Sequence, residues 1–492
     1  MATTTSNVKP FSTKTEQALL QPWHKAFTCP AKAFSETPLQ IIAGRIPVGL
    51  QGTFYQNGTG RLKRGGTPVG HWFDGDGAVL RLSFDGEGAT ATYRYVETQG
   101  YLAEQEAGRF LYGNYGRCYP GPLWKHVLGL FSGQAIKNSA NTAVLALPNK
   151  LLALWEAGNP HSLDLETLET IGLENLGWLK TAQAFSAHPL RDPASGEIYS
   201  IGVSPRCELS VYRCRPDGSL IKQRKIVLND VPLVHSFVIA GRYLVFLVSP
   251  VVIDALPLLL NQKPYADALN WDTQRGTRVV VVDRESLEVV AESDTEAWFQ
   301  WHFGNGCVEP DGSVRLNYVR FGDFTSINEL LREVPTGQMT TKATGRLWQL
   351  RLNPLTGEVL SNDCVLNRDC EFPQVPASKV GQQWRYTYVL MHRDGMSASR
   401  DWFGAIGRVD GETGALLQTD LGEGCYGSEP LHVCDVQRPG QGWLIVVVLN
   451  AASDRSEVWI LDAQALGEPV CRLALPGILP FGFHGTWRPA KQ

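Results

Sequence analysis

The sequence predicts an all-β chain folded as a seven-bladed β-propeller with long loops, and three observations carry that reading. An apolar run, a polar turn built on Asp or Asn, and a second apolar run form one pattern that recurs seven times. The turns fall at Asp85, Asp164, Asp217, Asp283, Asn353, Asp410 and Asp462, at spacings of 79, 53, 66, 70, 57 and 52 residues. Helical periodicity is sparse between them.

Each turn has a local cause. Asp and Asn accept hydrogen bonds from backbone amides just ahead of them, and Gly supplies positive φ. "RVVVVDRESLEVVAES" shows the pattern most plainly, turning at Asp283. A hairpin-centred unit at this interval fits a propeller blade of roughly 40–50 residues. Seven blades take about 300–350 residues, so the surplus of the 492 sits in loops. Two further turns of the same kind, in "RDPASGEIY" and "EPDGSVRL", loosen the count. The chain divides into an N-terminal arm over 1–35, helical or partly disordered, and a single propeller domain over 36–492.

Two helical patterns stand out. "SINELLREV" is one. In "GPLWKHVLGLFSGQ", Leu123, Trp124, Val127, Leu128 and Phe131 share one face, which either packs on the propeller or lies on a membrane surface. The apolar run "YLVFLVSPVVIDALPLLL" is broken by Pro250, Asp254 and Pro257. A carboxylate in lipid is costly, so the run reads as a strand ending near Pro250, then an apolar loop or short helix.

Composition narrows the function. The net charge is -4, with 45 Lys and Arg against 49 Asp and Glu and no long basic run. Nucleic acid is therefore not an expected partner. None of the ten cysteines forms a C-x-x-C pair, which fits reduced thiols in a cytosolic protein. The N-terminus lacks the apolar core and cleavage site of a secretory signal. A cytoplasmic protein, with peripheral membrane contact if the apolar segments provide it, is expected.

In a propeller, residues far apart in sequence meet on the axis, because each blade sends its innermost strand there. Four histidines stand at strand starts beside small or apolar residues: His188 in "SAHPL", His235 in "PLVHSFVIA", His302 in "WHFGNG" and His484 in "GFHGTW". Their spacings of 47, 67 and 182 are about one, one and three repeat lengths. Each taken alone is equally an ordinary core or turn histidine. His71, Asp74 and Asp76 in "HWFDGDG" read as a turn, and His24, His126, His161, His392 and His432 as structural.

The local sequences add a resemblance. "HWFDGDG", "NTAVLALPNKLLALWEAGNP", "FSAHP", "CEFPQV", "GSEPLHV" and "GFHGTW" occur in order between about residue 40 and residue 488. Together they resemble the carotenoid cleavage oxygenases. The resemblance implies a seven-bladed propeller with short helices capping the active-site face, and one Fe(II) per chain held by His188, His235, His302 and His484. It implies that Glu156, Glu371 and Glu429 bond to the outer nitrogens of three of these ligands, His188 being the one without. A ligating imidazole coordinates through one nitrogen while the other donates its hydrogen, so such carboxylates fix tautomer and aim. Thr142 matches a threonine that limits access to an open iron position in several relatives. It is otherwise a plain β-branched strand residue.

The chemistry implied is oxidative cleavage of a conjugated C=C bond into two carbonyl compounds, with O2 as co-substrate. Four neutral imidazoles leave the metal its full charge and open positions. Substrates in the family are carotenoids, apocarotenoids and, in one branch, stilbenes. That branch commonly has lysine immediately before the first glutamate, whereas this chain has Trp155. An aromatic wall suits a hydrophobic polyene. Trp301, Phe303 and Phe372 flank the proposed site residues and are expected in the same tunnel. A stilbene dioxygenase, a retinoid isomerase-like activity and a non-catalytic propeller scaffold remain as alternatives.

Overall fold

A computed structural model describes residues 21–490 except 133–135, 182, 205 and 229–232, with the side chains of 130–132 also outside the description. Residues 1–20 of the expected arm lie outside the described residues.

Seven antiparallel sheets of four to six strands make up the propeller. From the inside outward, blade 2 consists of Ala143–Ala146, Leu151–Leu154, His161–Leu163 and Thr170–Leu173. Blade 3 consists of Leu190–Arg191, Ile198–Ser204, Glu208–Cys214 and Leu220–Val227. Blade 4 consists of Val238–Ala240, Tyr243–Val248, Thr277–Asp283 and Val289–Thr295. Blade 5 consists of Phe299–Val308, Val314–Phe321, Arg346–Leu352 and Val359–Leu366. Blade 6 consists of Cys370–Gln374, Tyr386–Met391, Ala405–Asp410 and Leu416–Asp420.

The two chain ends close the ring. Blade 1 takes its innermost strand, Gly482–Pro489, from the C-terminus, followed by Gln51–Arg61, Asp76–Asp85, Ala89–Tyr95 and Phe34–Pro38. Blade 7 starts from Cys425–Gly427 and Leu431–Cys434, continues through Gly442–Asn450, Arg455–Asp462 and Cys471–Ala474, and takes Gln40–Gly44 as its outer edge. Such closure removes the edge at which a ring of sheets would open.

The seven sequence turns all lie between the third and fourth strands of a blade, one turn per blade. Asp85 accepts from the amides of Glu87 and Gly88, Asp164 from Glu166 and Thr167, and Asp462 from Gln464 and Ala465. The two extra turns, at Asp192 and Asp311, join first to second strands in blades 3 and 5.

Apolar clusters fill the spaces between neighbouring blades. In blade 4, Val280 and Val282 pack toward blade 3, while Val279 and Val281 pack toward blade 5. A strand buried on both faces needs apolar residues at successive positions, which is why "RVVVVD" lacks alternation. Residues 21–35 join this core. Trp23 and Phe27, both 1% exposed, pack with Trp72, Trp402 and Phe481. None of the ten cysteines forms a disulfide.

The long run at 243–260 resolves into Tyr243–Val248, the strand Val251–Ile253 and the short helix Ala255–Leu259. The two helical patterns form Leu123–Ser132 and Phe324–Glu333. Among the described residues, no helix is long and apolar enough to cross a membrane.

Candidate metal centre

Four imidazoles converge on the axis. His188 and His235 stand just ahead of the inner strands of blades 3 and 4, His302 lies within the inner strand of blade 5, and His484 lies in the closing strand of blade 1. Their ligand-capable nitrogens lie within 4.8 Å of one another. The Nε2 atoms of His235 and His302 are 3.3 Å apart. The His188 ring is centred 4.3 Å from that of His235 and 4.4 Å from that of His484. Two metal–nitrogen bonds of about 2.1 Å at a right angle span about 3.0 Å, so the set fits a single transition-metal ion. A hydrogen bond between His235 and His302 does not account for the other two rings: His188 Nε2 is buried with no hydrogen-bond partner.

Burial pushes the His188 and His302 imidazoles well below the usual histidine range, and the neighbouring rings add to the effect. Both are neutral at physiological pH, the form that coordinates. Carboxylates face three outer nitrogens. His302 Nδ1 meets Glu371 Oε2 at 2.6 Å and His484 Nδ1 meets Glu429 Oε1 at 2.9 Å. His235 Nδ1 lies 3.1 Å from Glu156 Oε1, within ion-pair reach but off the line of a hydrogen bond. Among the described residues, no carboxylate bonds to His188; its backbone amide donates to Ser186 Oγ.

The three glutamates differ in their surroundings. Glu429, 1% exposed, also accepts from the Gly485 amide at 2.8 Å and Gln374 Nε2 at 2.7 Å. Glu371 accepts a second bond on the same Oε2, from the Phe372 amide, and its Oε1 is buried without a partner. Burial pushes the Glu371 carboxyl up to about 7. Glu371 lies on the inner strand of blade 6, Glu429 between the inner segments of blade 7, and Glu156 two residues past the second strand of blade 2. Each of the seven blades thus delivers one of the seven His and Glu side chains.

His235, His302 and His484 line a cavity of about 1890 Å³ whose wall also includes Thr142, Trp155, Trp301 and Phe372. Thr142 precedes the inner strand of blade 2. Its carbonyl accepts from the His484 amide at 3.3 Å and its Oγ1 donates to Asn141 Oδ1 at 3.2 Å. Trp301 stands edge-on to His235, with centroids 4.9 Å apart. Phe372 faces the rings of His302 and His484 at 5.4 Å each, from a left-handed backbone with φ 54°. Phe303 does not reach the cavity wall. Register shifts on both sides of it break the strand alternation, and its ring packs toward Tyr318 inside the blade.

Several aromatic wall residues escaped the sequence reading, among them Trp72, Phe73, Trp402 and Phe403. The available signal was the Trp-Phe pair in both "HWFDGDG" and "DWFGAIG". The first motif is the expected turn: His71 Nδ1 accepts from the Phe73 amide, and Asp74 accepts from the amides of Gly70 and Gly116. That turn presents Trp72 and Phe73 to the cavity. The wall also reaches the inserted helices through Leu128, Leu258 and Leu259. Beside them Trp124 is 61% and Leu256 65% exposed. The Phe131 side chain lies outside the described residues.

The chain matches the family described as RPE65, retinal pigment epithelial membrane protein, over residues 27–489. It is 32% identical to the apocarotenoid-15,15'-oxygenase of Synechocystis sp., over 91% of this chain and 92% of that one. It is 26% identical to carotenoid 9,10(9',10')-cleavage dioxygenase 1 of Arabidopsis thaliana, over 92% and 86%. The solved structure of cobalt-substituted Synechocystis ACO superposes with a TM-score of 0.85 at 29% identity, covering 95% of this chain and 98% of that one. With its seven blades and axial histidines, the chain belongs to the RPE65 family of carotenoid-cleaving oxygenases.

Proposed function

We propose that the protein is a non-haem Fe(II)-dependent dioxygenase that cleaves a conjugated C=C bond of an apocarotenoid or carotenoid with O2, giving two carbonyl products. The carrying observation is the convergence of four half-buried imidazoles, three of them faced by glutamates, beside an aromatic-walled cavity. The activities named for the relatives support the substrate class.

His188, His235, His302 and His484 hold one Fe(II) through neutral nitrogens, and Glu156, Glu371 and Glu429 fix the tautomers of three of them. The bound iron supplies the redox chemistry that O2 requires, both of whose atoms end in the products. Trp155, Trp301 and Phe372 hold the polyene by apolar contact and keep water from the reacting bond. Thr142 crowds one side of the site. The exposed apolar side chains of Leu123, Trp124, Val127 and Leu128, with Leu256 and Leu259, seat the cavity mouth on a membrane from which a polyene enters. Residues 36–492 act as a single domain, with residues 21–35 packed against it.

The test is incubation of Fe(II)-loaded protein with apocarotenals and carotenes under 18O2, with products identified by mass spectrometry. Paired aldehydes, each carrying label, are expected. Unchanged substrate with iron bound, or products labelled from water alone, contradicts the proposal.

A further inference from the structure

Asp369 and His392 form a polar pair on the cavity wall in blade 6. They are the next positions beyond Cys370↔Met391 in the antiparallel register of the two inner strands. The His392 amide donates to the Asp369 carbonyl at 3.1 Å, and both residues line the cavity. His392 is 1% exposed, and the Asp369 side chain 11%.

Their polar atoms are largely unpartnered. Asp369 Oδ1 accepts from the Gly345 amide at 3.1 Å. Its Oδ2 and both ring nitrogens of His392 are buried with no partner in hydrogen-bond geometry; against the larger effect of burial, the Ala398 backbone draws the Asp369 carboxyl down and the Trp402 backbone draws the imidazole up, so each lies near without completing a bond. His392 Nε2 stands 3.9 Å from Asp369 Oδ2, beyond hydrogen-bond reach. Around them the wall is apolar, with the Phe403 ring 4.3 Å from the imidazole and Trp402 beside it. Native proteins leave few buried polar atoms unpaired, and each exception needs a reason.

The geometry names the missing partner. An oxygen about 2.8 Å from each atom closes a triangle over the 3.9 Å gap. To satisfy both, it accepts from the imidazole N–H and donates to the carboxyl oxygen. With Asp369 ionised, as it is above about pH 7, a hydroxyl does this, a carbonyl serves only the imidazole, and a carboxylate brings like charge to Asp369. Burial holds Asp369 up at about 7 and His392 down at about 3, so the imidazole is neutral.

We infer that Asp369 and His392 bind a hydroxyl at one end of the polyene and make the site selective for apocarotenoids that carry one, on the ring or as a terminal alcohol. This rests on the cleavage reading above and adds a recognition element to it.

Three apocarotenoids of equal length test it with Fe(II)-loaded protein: an aldehyde with an unsubstituted ring, the same aldehyde with a ring hydroxyl, and the terminal alcohol with an unsubstituted ring. One hydroxyl compound is expected to exceed the unsubstituted aldehyde in kcat/KM by about tenfold, and which one identifies the bound end. Asp369→Leu and His392→Phe each bring that ratio toward one, mainly through KM. A wild-type ratio near one, as a bound water at the pair produces, overturns the inference, as does a ratio unchanged in both folded variants. Anaerobic Kd values for the same three compounds, from quenching of tryptophan fluorescence, must rank the same way, and this arm requires neither variant nor turnover. If none is cleaved although iron is bound, the cleavage reading fails while the binding ratio still decides the hydroxyl site.

Discussion

Glu429→Gln and Glu371→Gln are the same chemical change with different costs in this fold. Glu429 uses both oxygens: Oε1 accepts from His484 Nδ1 and Gln374 Nε2, and Oε2 from the Gly485 amide. A glutamine there keeps one acceptor oxygen, so its NH2 must face the Gly485 amide or the two side-chain donors. Either way a buried N–H loses its acceptor, at about 1–3 kcal/mol. At Glu371 both accepted bonds fall on Oε2, and Oε1 meets no donor. Glutamine there keeps both bonds and turns its NH2 to the unoccupied side. Glu429→Gln is therefore expected to weaken Fe(II) retention about tenfold more than Glu371→Gln, within the range seen when carboxylates behind metal-bound histidines are altered. Anaerobic competition against a calibrated chelator measures the ratio, and urea denaturation of the metal-free proteins separates lost stability from lost affinity. An equal or greater loss in Glu371→Gln refutes the reasoning.

Three further outcomes are open to direct measurement. Lys137, 4% exposed, ion-pairs with Asp76 and with Glu104, the latter at 2.8 Å; Lys137→Ala strands buried charge and is expected to lower unfolding free energy in urea by about 3 kcal/mol, even with Arg64 still 2.5 Å from Asp76. In the blade turns, the Gly88 and Glu87 amides hold Asp85 below the usual carboxylate range, and the Thr167 and Glu166 amides do the same for Asp164. A folded pKa below the unfolded one adds stability that is complete above about pH 4 and lost as pH falls through the folded value; Asp164→Asn keeps the acceptor without titrating and is expected to flatten the fall in Tm below about pH 4, and an unchanged slope counts against this. Trp124→Asp with Leu128→Asp, at positions 61% and 60% exposed, is expected to cut liposome partitioning at least about tenfold; equal partitioning removes that helix from membrane contact.

The fold was legible where its cause is local. Turns at Asp85 through Asp462 need only an acceptor and a tight reversal, so each blade's outer hairpin could be read from the chain. The inner strands could not: Leu190–Arg191 and Val238–Ala240 are too short for a period to show. All four histidines were nevertheless marked by small or apolar neighbours, because the axis of a propeller is narrow, although only His188 and His235 stand at strand entries and His302 and His484 lie within their strands. Glu156 carries no comparable signal. It follows a second strand rather than an inner one, and only the family resemblance pointed to it. Phe303 was misplaced in the tunnel because the register shifts around it leave no trace in composition. Asp369 and His392 are neighbours only through a register that closes across the connection between Gln374 and Tyr386, so His392 looked like any strand-end histidine.

Iron stoichiometry tests the central claim most directly. After anaerobic Fe(II) loading and desalting, elemental analysis is expected to find about one iron per chain. His235→Ala or His302→Ala, with circular dichroism unchanged, is expected to reduce it to background. Wild-type protein without stoichiometric iron, or iron retained when both histidines are replaced, contradicts the assignment of the four axial imidazoles as its ligands.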